Sequence, residues 1–425
     1  MNTPPGRHDP SPLAVALLGL TALALAMGVG RFAFTPLLPM MQTDAGLTVA
    51  QGGWLASANY IGYLAGALCA ARFAVPPRRA IQLSLAAIGL ATVAMAATGG
   101  MAVWWLLRAI PGFASAWVLV YVSAWTLGRL AAARRTALSG LVYAGVGVGI
   151  TAAGLATLAL LRLHASSAQT WAVLGIGTLI IAALARRAGE GPRPRIGEAV
   201  PEQGTDAARV NGAPAPARGA PAAARPSHRR LAAIPEFRRF VFCHGAYGLG
   251  YIIPATFLPV MAKQVLADPQ LFGWVWPVFG VAAALSTIAA ARVADRIGAR
   301  AVWILANVMM GLGDVAPVAF PGIGGLLLGA VLVGGTFMVI TMVALEEARL
   351  AGGAQGRALM ASMTAAFGVG QFVGPLVVSG LSGYRWGFDA ALLLAAAPLF
   401  IAAVLLYTDP LTRAQPAPRR ARNLP

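Results

Sequence analysis

Two arginines lie inside long apolar stretches of this chain, where a fixed positive charge is costly unless it faces water or a partner. Arg31 lies about ten residues, or roughly 15 Å of helical rise, from the far end of its stretch, and Arg108 lies roughly 11 Å from the end of its own. A guanidinium binds a carboxylate or a phosphate through two parallel hydrogen bonds. The pair therefore favours a site for an anionic solute. The alternative is a structural role, in which each arginine holds a protein group or neighbouring helices.

Further polar side chains interrupt the apolar stretches at helical spacing. His244, Tyr247 and Tyr251 stand at i, i+3 and i+7 and share one face of a predicted helix. Asn59 and Tyr63 form a second pair, at i and i+4. Our candidates for solute binding are therefore the following residues: Arg31, Thr35, Asn59, Tyr63, Arg108, Tyr247, Tyr251 and Gln371.

Groups that could carry a proton with the solute are few. Histidine titrates near neutral pH, so His244 is one candidate, although a buried histidine is as often a hydrogen-bonded packing residue. Asp314 lies in the outer part of the ninth predicted helix and Glu346 at the inner end of the tenth. The sequence does not choose among these three. We expect proton coupling through one of them.

The composition is that of a membrane protein. Hydrophobic residues make up 58% of the 425 residues and charged residues only 11%, and no soluble globule of this size hides that much apolar surface. The apolar runs are long and do not alternate, which favours helices over strands. We predict an all-α membrane protein with twelve transmembrane helices, over residues 13–41, 49–71, 80–98, 101–127, 136–161, 169–186, 237–262, 270–292, 301–320, 323–346, 356–380 and 386–407.

Charge distribution predicts the orientation of these helices. Nearly all of the 32 Lys and Arg residues fall in the two termini and in the loops on the same side, whereas the other side carries Arg162, Lys263 and Arg385. Cytoplasmic loops hold such an excess of positive charge, so both termini are expected in the cytoplasm. Because the membrane explains the charge, we expect no nucleic-acid partner.

A proline-rich segment divides the chain in two. Residues 189–235 cannot bury enough apolar surface to fold and are expected to form a disordered cytoplasmic linker. The predicted organisation is a tail (1–12), a six-helix bundle (13–188), the linker, a second bundle (236–408) and a second tail (409–425). We expect the arginines of the linker to set topology and to attract anionic headgroups; the alternative is a role in binding protein or nucleic acid.

The two bundles are copies of one module. Residues 28–74 reappear 220 residues later without a gap, and Gly28, Gly30, Leu38, Pro39 and Met41 fall on Gly248, Gly250, Leu258, Pro259 and Met261. Parallel repeats of this kind build transporters whose halves rock around a central site. In the repeat, Arg31 corresponds to Tyr251. The halves should therefore present a cation and a phenol to each other.

Twelve helices in two parallel halves with a long central loop resemble the major facilitator superfamily. The stretch with Asp295, Arg296, Gly298 and Arg300 is similar to its signature G-x-x-x-D-R-x-G-x-R, with Ala291 for the first Gly. The segments GVGRFAFTPLLPMM and GGWLASANYIGYLAGAL, at 28–41 and 52–68, resemble its YbfB/YjiJ-like branch. The resemblance implies that the first helix of each half lines the cavity, and that the signature turn locks the cytoplasmic side. Asp295 and Arg296 are then gating residues, with Arg134 and Arg135 as candidate partners of Asp295.

We therefore expect a secondary transporter of the bacterial inner membrane that moves a small organic anion by alternating access, with protons, as a monomer and without cofactors. One alternative is an efflux antiporter for neutral or cationic drugs or metabolites. Another is a membrane sensor that has lost transport. An enzyme is not expected, because His8, His164, His228 and His244 are too scattered for a metal cluster and no nucleophilic triad is evident.

Overall fold

The computed structural model describes residues 10–70, 73, 75–135, 138–189, 235–266, 268, 273–352 and 356–408. The described chain is helical. The predicted linker lies almost wholly outside the described residues, as do most of the first tail and all of the second.

The first half contains seven helical pieces: α1 (Pro12–Leu23), α2 (Phe34–Asp44), α3 (Val49–Ala70), α4 (Pro77–Ala97), α5 (Met101–Ala132), α6 (Ser139–Arg162) and α7 (Ser167–Gly189). The second half contains six: α8 (Pro235–Val265), α9 (Val275–Ile297), α10 (Ala299–Ala319), α11 (Ile323–Gly352), α12 (Gly356–Leu381) and α13 (Gly387–Tyr407). α1 and α2 together cross once, so the twelve predicted crossings are present.

Ten of these crossings are long and apolar enough to span a membrane by length and composition alone. The other two are α3 and α9. α3 carries Gln51, Ser57 and Asn59, and the apolar part of α9 is the shorter stretch Val275–Ala290. Both helices pack against the opposite half, α3 on α12 and α9 on α6, so protein covers much of their surface.

The repeat of the sequence is a repeat of the packing. Within the first half α1 packs on α6, α3 on α5 and α4 on α7; within the second half α8 packs on α12, α9 on α11 and α10 on α13. Small residues allow close approach, and a Cβ at Gly147 would collide with the backbone of Ala284. The halves are thus pseudo-symmetric bundles joined through α3, α6, α9 and α12.

The first crossing is broken, although the sequence predicts one continuous helix over 13–41. After α1 the chain forms a π-helical segment (Ala24–Val29), in which Gly30 N donates to Leu25 O and Phe32 N to Met27 O. Residues 30–33 form a turn before α2 begins. Pro36 lacks an N–H, and in a continuous helix its ring would clash with the carbonyl of residue 32, which favours a break four residues before it. π-Helical segments are frequent at functional sites.

Candidate functional site

Arg31 lies in the break of the first crossing, in the middle of the molecule. Its side chain is only 2% exposed. Arg31 Nη2 donates a hydrogen bond of 2.9 Å to the phenol oxygen of Tyr251, which belongs to α8 in the other half. The Nε atom of Arg31 is buried and has no hydrogen-bond partner among the described residues. The guanidinium therefore keeps an unused donor.

The Tyr251 hydroxyl joins three helices. Besides Arg31, Gln371 of α12 hydrogen bonds to it through Nε2. The Tyr251 ring lies between Phe337 and Phe367, at centroid distances of 5.5 and 5.7 Å and nearly parallel to both. The carbonyl oxygen of Gln371 is buried and has no partner among the described residues. A donor from Arg31 and an acceptor from Gln371 therefore remain available around one phenol.

Aromatic rings surround the Arg31 guanidinium. Its central carbon lies 4.0 Å from the ring centroid of Tyr63 and 5.3 Å from those of Tyr60 and Phe32. Ring faces attract a cation, but they do not neutralise it. Among the described residues no carboxylate contacts Arg31. This buried positive charge therefore has no carboxylate partner among the described residues, and burial of a charge without an ionic partner is costly.

Arg108 belongs to the same cluster, with its guanidinium turned to the backbone. Its Nη2 donates to the carbonyl oxygen of Arg31 at 3.1 Å, and the aromatic rings of Phe34 and Trp171 flank it. Asn59 completes this arrangement, since its Nδ2 donates to the carbonyls of Gly30 (3.1 Å) and Arg108 (2.9 Å). The carbonyls of Gly30 and Arg31 lie at the break, and these two side chains bind them. Arg108 therefore holds a protein group, as expected if its role is structural and not one of solute binding.

Three contacts between the halves join a residue to its own repeat equivalent, 220 positions on. Besides Arg31 and Tyr251, Thr35 Oγ1 donates to Ala255 O at 2.7 Å, and Lys263 Nζ donates to Thr43 Oγ1 at 2.6 Å. In a two-fold arrangement, a residue that touches its own counterpart lies on the axis. The pseudo-two-fold axis therefore runs along α2 and the second part of α8.

The axis contacts close one side of the molecule. From Arg31 to Thr43 they advance toward the side opposite the termini. Lys263 Nζ also donates to Pro39 O at 2.9 Å, and Tyr60 hydrogen bonds to Thr256 of the other half at 3.0 Å. The halves thus meet along α2 and α8 on this side.

The remaining polar residues of α8 lie next to the cluster. Tyr247 donates to Phe337 O at 2.6 Å and lies 2.8 Å from Thr341 Oγ1, and its ring stacks on Tyr251. The His244 ring is buried 5.3 Å from that of Tyr247, and its Nδ1 has no partner in the described part of the chain. His244, Tyr247 and Tyr251 therefore form one column, as their spacing predicts.

The two carboxylates considered for proton coupling lie elsewhere. Asp314 is fully buried in α10, which packs on α11 and α13, and neither of its carboxylate oxygens has a hydrogen-bond partner among the described residues. Glu346 is exposed near the end of α11. Its neighbour Glu347 is buried and pairs with Arg300 at 2.9 Å. Neither Asp314 nor Glu346 joins the Arg31 cluster.

The predicted gating residues lie at the side of the termini. Asp295 and Arg296 are exposed at the end of α9, and Arg134 and Arg135 are exposed just after α5. Within the described part of the chain, no hydrogen bond or ion pair joins Asp295 to either arginine. In this conformation the signature residue with a buried ion pair is Arg300, which also covers the ring of Phe240.

Sequence reasoning missed several residues of this site. Tyr60, Phe337 and Phe367 surround Arg31 or Tyr251, and aromatic residues in an apolar helix give no signal that separates them from packing residues. Lys263 could have been found, because its repeat equivalent is the polar Thr43 and it lies one helical turn after Pro259.

Comparison with known proteins gives one family and one fold. Residues 23–198 and 208–407 match the family described as "Uncharacterised MFS-type transporter YbfB". The chain is similar to the solved structure of a mutant of the nucleoside transporter NupG, with 15% identity, a TM-score of 0.65, and coverage of 93% of this chain and 99% of that one. It is also similar to the D-xylose-proton symporter, with 15% identity, a TM-score of 0.71, and coverage of 93% and 97%. No curated protein sequence matches this chain.

Proposed function

Because the chain belongs to the YbfB-like family of major facilitator superfamily transporters, we propose that it carries a small organic anion across the membrane by alternating access, coupled to protons. Its family is one of transporters, and its helices are those of a multi-pass membrane protein. The fold by itself names no substrate. The chemical class of the solute must therefore follow from the residues of the site.

The proposal of an anionic solute depends on Arg31. Its guanidinium is buried at the boundary between the halves, contacts no carboxylate among the described residues and keeps Nε free of any described partner. A carboxylate of the solute can take two of its N–H groups at once. The side-chain carbonyl of Gln371 accepts a donor on the same solute. Tyr63 faces the guanidinium and Tyr247 stacks on Tyr251. Arg108 and Asn59 hold the backbone that carries Arg31, and Thr35 bonds to the other half.

The contacts of Arg31 also link binding to movement. In this structure Arg31 bonds to Tyr251 and so holds the two halves together. A solute that replaces Tyr251 as the partner of Arg31 weakens this contact between the halves. A ligand shifts a conformational equilibrium only by its differential affinity for the two states, and this exchange of partners supplies such a difference.

Proton coupling is proposed through Asp314, with His244 as the second candidate. Trp303, Asn307 and Asp314 lie on one face of α10, and each has a buried polar atom without a hydrogen-bond partner among the described residues. A charge buried without a partner is costly, and a proton would neutralise this carboxylate. Asp314 can thus bind a proton inside the membrane. Glu346 is exposed and is the weakest of the three.

The proposed setting is the inner membrane of a bacterium, with both termini in the cytoplasm, as the positive charge of their side indicates. The functional unit is proposed to be a monomer of two six-helix domains, residues 13–188 and 236–408. Residues 189–235 would tether them as a cytoplasmic linker. Asp295, Arg296, Arg134 and Arg135 would meet only when the molecule closes on that side.

Transport by purified protein in liposomes tests the proposal. Uptake of benzoate, lactate and succinate is compared with that of uridine and D-xylose as neutral solutes, with and without an imposed pH gradient. We expect anion uptake that the gradient drives, that Arg31→Gln abolishes and that Arg31→Lys restores in part. Arg129→Gln is the matched control, because Arg129 is an exposed arginine resting on Trp125 within one half.

Transport confined to neutral or cationic solutes, or anion uptake that survives Arg31→Gln unchanged, contradicts the anion site and favours the efflux alternative. Binding of a solute without any flux favours the sensor. Uptake that ignores the pH gradient contradicts proton coupling alone. Asp314→Asn and His244→Gln then separate the two proton candidates, since only the carrier's variant uncouples uptake from the gradient.

A further inference from the structure

An apolar groove lies in the first half, away from the Arg31 cluster. It opens between α1, α4 and α7, encloses about 390 Å³, and every residue that lines it belongs to the first half. Its inner wall is formed by Leu25, Leu85 and Leu179. Leu83, on its rim, is 70% exposed. The groove is therefore open at the outer surface of the helices, and its lining is mostly apolar.

Positive charge gathers at one end of this groove. Arg78 lies in the first turn of α4 and Arg186 in the last turn of α7, so both lie on the side of the chain termini. Arg78 and Leu85 are seven positions apart, as are Leu179 and Arg186. This is a helical rise of roughly 10 Å in each case. The groove thus has a basic mouth and an apolar interior roughly 10 Å deep.

We propose that this groove binds an anionic phospholipid, with one acyl chain between α1, α4 and α7 and the phosphate at Arg78 and Arg186. The charge of the mouth complements a phosphate, and the interior complements a hydrocarbon chain. Each buried CH₂ group contributes about 0.8 kcal/mol to such binding. Basic pockets between transmembrane helices are where anionic headgroups bind. A free phosphate lacks the chain, and a neutral lipid lacks the charge.

The position of Leu25 gives the lipid a consequence for the central site. Leu25 belongs to the π-helical segment, and its carbonyl accepts the hydrogen bond from Gly30, the residue that precedes Arg31. An acyl chain packed on Leu25 therefore supports the segment that positions Arg31. Lipid in the groove should make the first crossing more resistant to unfolding.

Native mass spectrometry of the full chain, with dioleoyl phosphatidylglycerol or dioleoyl phosphatidylcholine added in detergent, measures the binding. We expect phosphatidylglycerol to bind at least about tenfold more tightly than phosphatidylcholine, and Arg78→Gln/Arg186→Gln to remove this preference, since each arginine near a charged headgroup contributes about 1 kcal/mol. Arg79→Gln/Arg187→Gln is the matched control, because these neighbouring arginines are exposed and do not line the groove. Equal loss in both double variants would show general surface attraction and overturn the site.

Three further arms identify the occupant. Ala182→Phe fills the groove and should weaken phosphatidylglycerol binding while thermal stability without lipid is retained; unchanged binding overturns the proposal. Glycerol 3-phosphate should not compete, and competition by it would mean that the mouth is a phosphate site only. If lipid binds only after deletion of residues 2–9, the N-terminal segment is the occupant and the proposal is wrong.

Discussion

Arg31 and Tyr251 hold equivalent places in the two repeats, and their side chains hydrogen bond to each other at 2.9 Å on the pseudo-two-fold axis. The pseudo-symmetry brings the two positions together. Because one residue is an arginine and the other a tyrosine, a guanidinium can donate a hydrogen bond to a phenol. Two arginines there would repel each other, and two tyrosines would present no charge. Because the repeats differ at this position, the first half places a buried cation in contact with the second half.

Removal of the Tyr251 hydroxyl tests this relationship. Tyr251→Phe keeps the stacked ring between Phe337 and Phe367 but leaves Arg31 and Gln371 without their shared partner. Loss of a hydrogen bond to a charged group costs about 1.5–3 kcal/mol. Because this bond also holds the halves together, we expect altered solute affinity and a changed balance between the two conformations of the transporter.

The measurement is the KM for uptake in liposomes together with the accessibility of a cysteine placed near Thr43. Tyr143→Phe is the control, since its hydroxyl donates to Ser123 at 2.9 Å within one half. If Tyr251→Phe matches the parent in both readouts, the phenol contributes only to packing.

The second prediction concerns the carbonyl of Gly30 in the broken helix. Asn59→Ala removes the donor to Gly30 O, and with it a bond to Arg108 O of α5. A buried carbonyl left without a partner costs about 1–3 kcal/mol. We expect a clearly lower thermal midpoint in detergent.

Asn307→Ala is the comparison, because the amide of Asn307 donates to Trp303 O in its own helix. It should shift the midpoint much less. Equal shifts would mean that Asn59 is an ordinary packing residue and that the break does not depend on it.

Hydropathy and the repeat were sufficient for the architecture, because apolar length fixes each crossing and the 220-residue step relates the halves. They also placed Arg31 opposite Tyr251. The break after α1 was harder to predict. Pro36 favours it, but Gly28 at the break also packs against the backbone of Gly149, and the sequence does not record which helices meet.

The roles of Arg108 and Asn59 were hidden for a related reason. Both side chains bind backbone carbonyls, and every residue has one of those, so no residue type marks the partner. For Asp314 and Glu346 the residue type gave a signal, but the sequence did not show their surroundings. Their types suit proton transfer, but only the fold shows that one is buried without a described partner while the other is exposed.

The third prediction concerns the buried pair of Arg300 and Glu347. Arg300 Nε lies 2.9 Å from the Glu347 carboxylate, and both side chains are almost fully buried. Removal of Arg300 leaves the buried Glu347 carboxylate without this partner and costs about 3–5 kcal/mol, whereas removal of both groups costs far less. We therefore expect Arg300→Met to lower the thermal midpoint strongly, and the double variant Arg300→Met/Glu347→Gln to recover most of that loss.

A double-mutant cycle on thermal stability in detergent measures the coupling. Arg296→Met, at an exposed arginine of the same signature, should change little. Additive effects of the two substitutions would show that the pair is not coupled in the folded protein.

The fourth prediction concerns the closure of the side opposite the termini. Lys263 Nζ donates to Pro39 O and to Thr43 Oγ1, so one side chain from α8 holds the end of α2. Lys263→Met keeps the length of the side chain and loses both bonds. A contact at this partly exposed position contributes about 0–1 kcal/mol, but an equilibrium between two conformations of similar free energy responds to differences of that size.

We expect Lys263→Met to open this side more often, at unchanged thermal stability. The rate at which a membrane-impermeant maleimide modifies a cysteine introduced at Ala255 should rise by up to about fivefold, since about 1 kcal/mol corresponds to that factor. Arg162→Met controls for the removal of a positive charge on the same side of the molecule. A rate that does not rise in Lys263→Met would place the closing contact at Thr35 and Arg31, deeper on the axis, and not at Lys263.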